Sequence, residues 1–303
     1  MRRPLAIRFF IGVLAALLCA AAQPASPTED PVKIAVTTDI IADYQRFVGS
    51  RNIAAIRFYG GAGARRDVIE LVLLQQALQL GGFNQTIAIV GEQTYRRTLH
   101  QVANGELIGS GALVWRADTA DLRNELLVSS AVIEDGEFIV GLYTAPQNLR
   151  ALSATPKTLR ELTAVTSLDW KTDQLTLQAL GFKQVHLTNT WVSIVRMLYA
   201  QRGDITLAPF QAGDHMQLES EGVTLVPIPN IKVALQGSRH WIVSRQHPGG
   251  PAYLAALERG LAQMRRQGTI QRAYRESGFL NSAVAQWPLL QAPKPQPPER
   301  PSN

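Results

Sequence analysis

The sequence predicts an α/β protein built from two similar halves. Two observations carry that expectation. Apolar, β-prone runs alternate with amphipathic helical stretches at the short spacing of α/β units. The alternation then starts afresh after Pro146. The composition, 46% hydrophobic and 18% charged over 303 residues, is that of a globular chain. It is long enough for one large or two modest domains with a cleft between them.

The elements follow in order. "VKIAVTT" (32–38) reads as a strand, "IADYQRF" as a short helix and "IAAIRFY" (53–59) as a strand broken by "GGAG". "RRDVIELVLLQQALQL" has helical period: Val68, Leu71, Val72, Leu74 and Leu78 fall near one face, with Asp67, Glu70 and Gln75 elsewhere. "TIAIV" is a strand, "YRRTLHQVANGE" a helix stopped by Asn104-Gly105, and "ALVW" (112–115) and "EFIVGLYT" (137–144) two more strands. In the second half, "TPKTLRELT" opens a helix with Thr155 as N-cap and Pro156 in its first turn. "AVTSL", "KQVHLT", "DITLAPF" and "VTLVPI" read as strands, and "DQLTLQALG" and "TWVSIVRMLYAQRG" as helices. "VALQGSRHWIVSRQHPG" reads as one long strand, and the stretch from Gly250 to Leu280 as one long helix or two broken at Gly268.

The first 22 residues are of a different kind. Arg2, Arg3 and Arg8 precede an apolar run ending in an A-x-A pattern, so 1–22 reads as a signal peptide and the chain as exported to the periplasm. An uncleaved anchor is the alternative, although the run is short beside the roughly 20 apolar residues of a membrane span. Cys19, the only cysteine, lies in this leader, so disulfides, thiol catalysis and cysteine metal sites are excluded from the mature chain. The net charge of +6 includes the three leader arginines, and the mild remainder argues against a nucleic-acid partner. Residues 291–303 are proline-rich and read as a disordered tail.

The order of these features resembles the type II periplasmic solute-binding proteins, the superfamily that includes the family 3 amino-acid-binding proteins of ABC importers. The resemblance runs over about 53–281. "ADTADLRNELLVSSAVIEDGEFIVGLY" is similar to the passage in which the family's chain meets its ligand and crosses to the second lobe. "TWVSIVRMLYAQRGDITLA" and "WIVSRQHPGGPAYLAALERGLAQMRRQGTIQRAYRESGF" match later passages. The resemblance implies a two-lobed fold with mainly parallel sheets, helices flanking them and two crossing hinge strands. It assigns 31–143 plus 237–281 to lobe 1 and 144–236 to lobe 2.

It also implies a ligand between the lobes, with Arg123 in the position of the family's carboxylate-binding arginine; a guanidinium suits that task by its planar fork of donors. Arg116 and Trp115 are candidates because ligands gather beyond strand ends. Tyr59, Arg65 and Arg66 are candidates because their loop opens a helix, where free amides attract anions. Lys171 and Thr172 stand where the family holds the other side of a carboxylate. Phe210, with Pro209, stands near where amino-acid binders place an acidic partner for the ligand's amine, which makes an ordinary amino acid a poorer fit.

The five histidines have no metal-like spacing, and neither a G-x-S-x-G elbow nor a nucleotide-binding glycine pattern is present. No cofactor and no enzymatic activity are expected. The expectation is a monomeric periplasmic protein that captures a small polar or anionic solute and delivers it to a membrane transporter. The alternative is a sensory or interaction module on the same fold, docking on an envelope partner.

Overall fold

A computed structural model describes residues 30–292. The leader 1–22 and the tail beyond 292 lie outside the described residues. The first sheet starts with β1 (Val32–Thr37), whose Ile34, Ala35 and Val36 are buried. α1 (Thr38–Val48) follows without a break, and its Asp39 sits in the first turn. The stretch 53–59 departs from its expected strand. It forms a 3-10 turn (Ile53–Ala55) and then extended coil, with Asn52 capping the turn by accepting from the Ala54 N–H. A side chain that satisfies the local backbone competes with a sheet ladder, and here it wins.

α2 (Arg66–Leu80) is buried all round. Its residues from Val68 to Leu74 are solvent-free, Glu70 among them, so the helix has no polar face in that stretch. It packs against α7 (Gly250–Arg266) at a crossing set by two glycines. A Cβ on Gly260 would fall 1.9 Å from the Ala77 carbonyl oxygen, and one on Gly81 would fall 1.8 Å from that of Ala256. Any larger residue there would push the helices apart.

β2 (Ile87–Glu92) pairs with β1 in parallel, α3 (Tyr95–Ala103) ends at Asn104-Gly105 as its sequence implies, and β3 (Gly109–Ser110) also runs parallel to β1. The chain then leaves the sheet for β4 (Val114–Trp115) and a 3-10 helix, Arg116–Leu122. β5 (Leu126–Val128) returns to the edge of the sheet.

β6 (Phe138–Thr144) begins the second sheet. Next come α4 (Leu149–Leu152), β7 (Thr163–Ser167), α5 (Lys171–Ala179), β8 (Gln184–Thr188) and α6 (Trp191–Tyr199). The expected helix at 155–163 is only a 3-10 turn, Thr158–Glu161, closed by reciprocal Thr155–Thr158 bonds. β9 (Thr206–Pro209), β10 (Leu218–Ser220), β11 (Val223–Pro227) and β12 (Val233–Leu235) complete this half. β6 pairs antiparallel with β9, β11 and β12, whereas β7 and β8 pair in parallel. The expected long strand near 233–244 is three short ones: β12, β13 (Arg239–His240) on β4, and β14 (Ile242–Ser244) between β3 and β5. The first sheet is therefore mixed, and the named pairs of the second are antiparallel. Helix crossovers give the parallel pairs, while the segments through 129–138 and 235–242 carry the chain between the two sheets.

α7 (Gly250–Arg266) and α8 (Thr269–Glu276) are separated by Gly268, which takes the left-handed conformation. Beyond them the chain crosses once more. The Asn281 amide donates to the Gln211 carbonyl at 2.9 Å, Trp287 meets Phe210 edge-on, and Leu290 N–H donates to the Lys232 carbonyl. The C-terminal segment thus straps the first half to the second, a third passage that periodicity did not announce.

Candidate ligand cleft

A cavity of about 330 Å³ lies between the two halves. Its walls are the starts of helices. Asp39 comes from the first turn of α1, Arg66 and Asp67 from α2, Tyr95 from α3, Asp173 from α5 and Trp191 from α6. In an α/β unit each helix begins where its strand ends, so its N-terminus faces the crevice beyond the sheet. Five helix N-termini therefore converge here, and each brings the positive end of a dipole.

Three arginines line the cavity, and their partners differ. Arg65 is held by Asp39 at 2.8 Å, Asp43 at 3.1 Å and Asp67 at 3.2 Å. Burial opposes its charge, but the three carboxylates outweigh burial and raise its pKa. Arg66 is paired with Glu70, whose other oxygen accepts the Leu113 N–H at 2.9 Å, and with Asp67 at 3.7 Å.

Arg239, on β13, has no ion pair among the described residues. It is 8% exposed, with its guanidinium over the rings of Trp115 (4.8 Å) and Phe138 (5.1 Å). One of its amines donates to the Leu113 carbonyl, and its buried Nε has no hydrogen-bond partner. Burial and the neighbouring Arg66 lower its pKa, and Glu70 offsets only part of that.

The second half contributes a carboxylate and an aromatic pair. Asp173 is buried, and desolvation raises its pKa to about 7 against the pull of Arg239 and Arg66. Trp170 and Trp191 stack at 6.2 Å between centroids and 29° between planes, and the Trp191 indole N–H donates to Ser220 Oγ. Thr94 and Thr190 cap α3 and α6 at the cavity wall. Next to the lining residues Tyr95 and Trp170, the Arg96 N–H donates to Asp169 at 3.3 Å, joining the halves. The lining carries further polar side chains, among them Thr37, Thr38, Gln93, Ser110 and Asn189, and its apolar part is mostly aliphatic, including Val36, Ile40, Leu113, Val140, Leu207 and Leu235.

Of the residues singled out by sequence, Arg65, Arg66 and Trp115 line this cavity. Six do not. Arg116 and Arg123 are exposed at the two ends of the 3-10 helix, which carries the polar stretch outward while its Asp118 accepts the Tyr95 hydroxyl at 2.8 Å. Lys171 is exposed and Thr172 is buried off the lining, while Asp173, one position further along α5, faces in. Phe210 is packed between Tyr143 and Trp287, while its neighbours Pro209 and Gln211 line the cavity. Tyr59 is buried with its hydroxyl on Gln76 at 2.8 Å and faces a different cavity.

The chain has the two-lobed type II periplasmic-binding-protein fold. A double-mutant VFT2 domain of BvgS from Bordetella pertussis has it too, at 15% identity and TM-score 0.51, covering 80% of this chain and 92% of that one. So does an arginine third transport system periplasmic binding protein from Legionella pneumophila, at 12% identity and TM-score 0.52, covering 69% of this chain and 88% of that one. No protein-family model matches the chain, and no curated protein matches it.

Proposed function

We propose that this is a non-catalytic, exported periplasmic binding protein that holds a small organic anion in the cleft, with Arg239 as the anchor. The supporting observation is the buried guanidinium without a counter-ion. A charge taken out of water is costly unless something pairs with it. Arg65 and Arg66 have their carboxylates; Arg239 awaits one from a ligand. The five helix N-termini favour the same sign, and the aliphatic and tryptophan walls suit an apolar or aromatic body on that anion. Trp115 would then flank the bound group, with Arg65 and Arg66 holding the floor.

Delivery to a membrane transporter is the role we assign, supported by the transport-system protein that shares the fold and by the signal peptide that the sequence of 1–22 leads us to expect. A sensory or interaction module is the second reading. The C-terminal strap and the Arg96–Asp169 bond favour it, because both resist hinge opening. Small-angle scattering with and without ligand separates the two: a transport protein compacts on binding, a strapped module keeps one radius.

The test of the cleft is a thermal-shift panel of aromatic and aliphatic monocarboxylates against their neutral amides. Stabilisation by an acid and not by its amide supports the reading. Equal response to acid and amide, or none across the panel, overturns it.

A further inference from the structure

Tyr59 leads to a second cavity, of about 620 Å³, on the outer side of the first lobe between the 54–59 segment, α2, α7 and the start of α8. Its floor is buried: Tyr59, Gln76, Met264 and Thr269. Its rim carries Arg57 and Arg272 and three glutamines, Gln79, Gln263 and Gln267. Its lining has no carboxylate. Neither arginine makes an ion pair among the described residues, and Arg272 Nε is buried without a hydrogen bond. Arg57 donates only to the carbonyls of Ala54 and Ile56. Glu276, a turn beyond Arg272 on α8, is occupied by the Tyr59 backbone N–H at 2.7 Å. Burial raises the Tyr59 pKa, and the nearby Arg272 charge pulls it partly back, which sets that guanidinium against the phenol at the floor.

We propose that this cavity is a second binding site, for a hydroxylated oxyanion such as a sugar phosphate or sugar acid. Two guanidiniums with no competing carboxylate fit an oxyanion, and bidentate pairing gives it a fixed orientation. Among the described residues the amides of Gln79, Gln263 and Gln267 have no hydrogen-bond partner, so each keeps donors and an acceptor for hydroxyl groups. The site shares no lining residue with the cleft: the cleft takes Arg66 and Asp67 from the start of α2, and this cavity takes Gln76, Gln79 and Leu80 from its last turns.

The experiment is isothermal titration at low salt with glucose 6-phosphate, gluconate and inorganic phosphate, using wild type, Arg57→Gln, Arg272→Gln and Arg239→Met. Both arginine variants lie at the partly exposed rim, and circular dichroism checks that they fold. The expected result is that glucose 6-phosphate or gluconate binds, that each rim variant weakens it tenfold or more, and that Arg239→Met leaves it unchanged. Binding of inorganic phosphate as tightly as glucose 6-phosphate overturns the sugar part of the assignment. Loss in Arg239→Met with the rim variants unaffected puts the anion in the cleft and overturns the site. So does the absence of binding by all three probes, whatever the cleft does in the thermal-shift panel.

Discussion

Arg66 and Arg239 flank one ring, Phe138, at 5.2 and 5.1 Å, yet they are held differently. Arg66 is locked into a buried ion pair with Glu70, whose other oxygen accepts the Leu113 backbone N–H. Arg239 has only two aromatic faces and a carbonyl. The difference separates scaffold from site. A guanidinium whose carboxylate is supplied by its own helix fixes the floor, while one left without a carboxylate is available to a ligand.

The largest effect should come from breaking the paired side. Glu70→Gln leaves buried Arg66 with only the more distant Asp67 carboxylate at 3.7 Å, and destabilisation of about 3 kcal/mol is expected, read from the urea midpoint. A loss below 1 kcal/mol would mean that Arg66 is not held by Glu70.

The next effect concerns Asp173, the carboxylate facing Arg239 from the other lobe. Its folded pKa of about 7 lies above the ordinary 3.8, so between those values the folded protein holds a proton that the unfolded chain has lost. Stability therefore falls as pH rises through that window, by on the order of a few kcal/mol in total. Asp173→Asn should flatten the curve. The same group sharpens the ligand's charge. An anion on Arg239 should bind several-fold more weakly at pH 8 than at pH 6, because the ionised carboxylate repels it. Tighter binding at pH 8 would point to a cationic group beside Asp173.

The smallest effect belongs to the arginines that the sequence favoured. Arg116→Ala and Arg123→Ala should each change stability by no more than about 0.5 kcal/mol and leave ligand affinity unaltered. A lost ligand response in Arg123→Ala would return the anchor to that residue.

What was legible in the sequence was mostly periodic or capped: the α2 pattern, the Asn104-Gly105 stop, the break at Gly268 and the order of elements that resembles the binding-protein fold. These are local signals, and each is satisfied within a few residues. What escaped depends on partners distant along the chain. Glu70 falls off the apolar stripe in the sequence, and its burial is not legible there because its partner besides Arg66, the Leu113 N–H, comes from a distant segment. Arg239 lies inside a run that reads as one strand, although breaks at 236–238 and 241 split that run, and its side chain lines the cleft. Asp173 is one residue from Thr172 in a stretch whose importance was recognised, and helix phase alone decided which of them faces inward. The stacking of Trp170 on Trp191 requires α5 and α6 to start side by side, which no local pattern announces. Tyr59 was singled out beside the right glycines and turned to the other side of α2, because the 53–59 stretch is not a strand.

The most direct measurement is the melting temperature of Arg239→Met with and without the best carboxylate from the panel. Methionine keeps the apolar contact with Trp115 and Phe138 and removes the charge. The account predicts that the ligand-free variant melts higher than wild type, by on the order of 1 kcal/mol or more in stability, because an uncompensated buried charge is gone. It also predicts that the carboxylate no longer raises the melting temperature. A variant that melts lower without ligand and keeps its full response to the carboxylate would contradict the account.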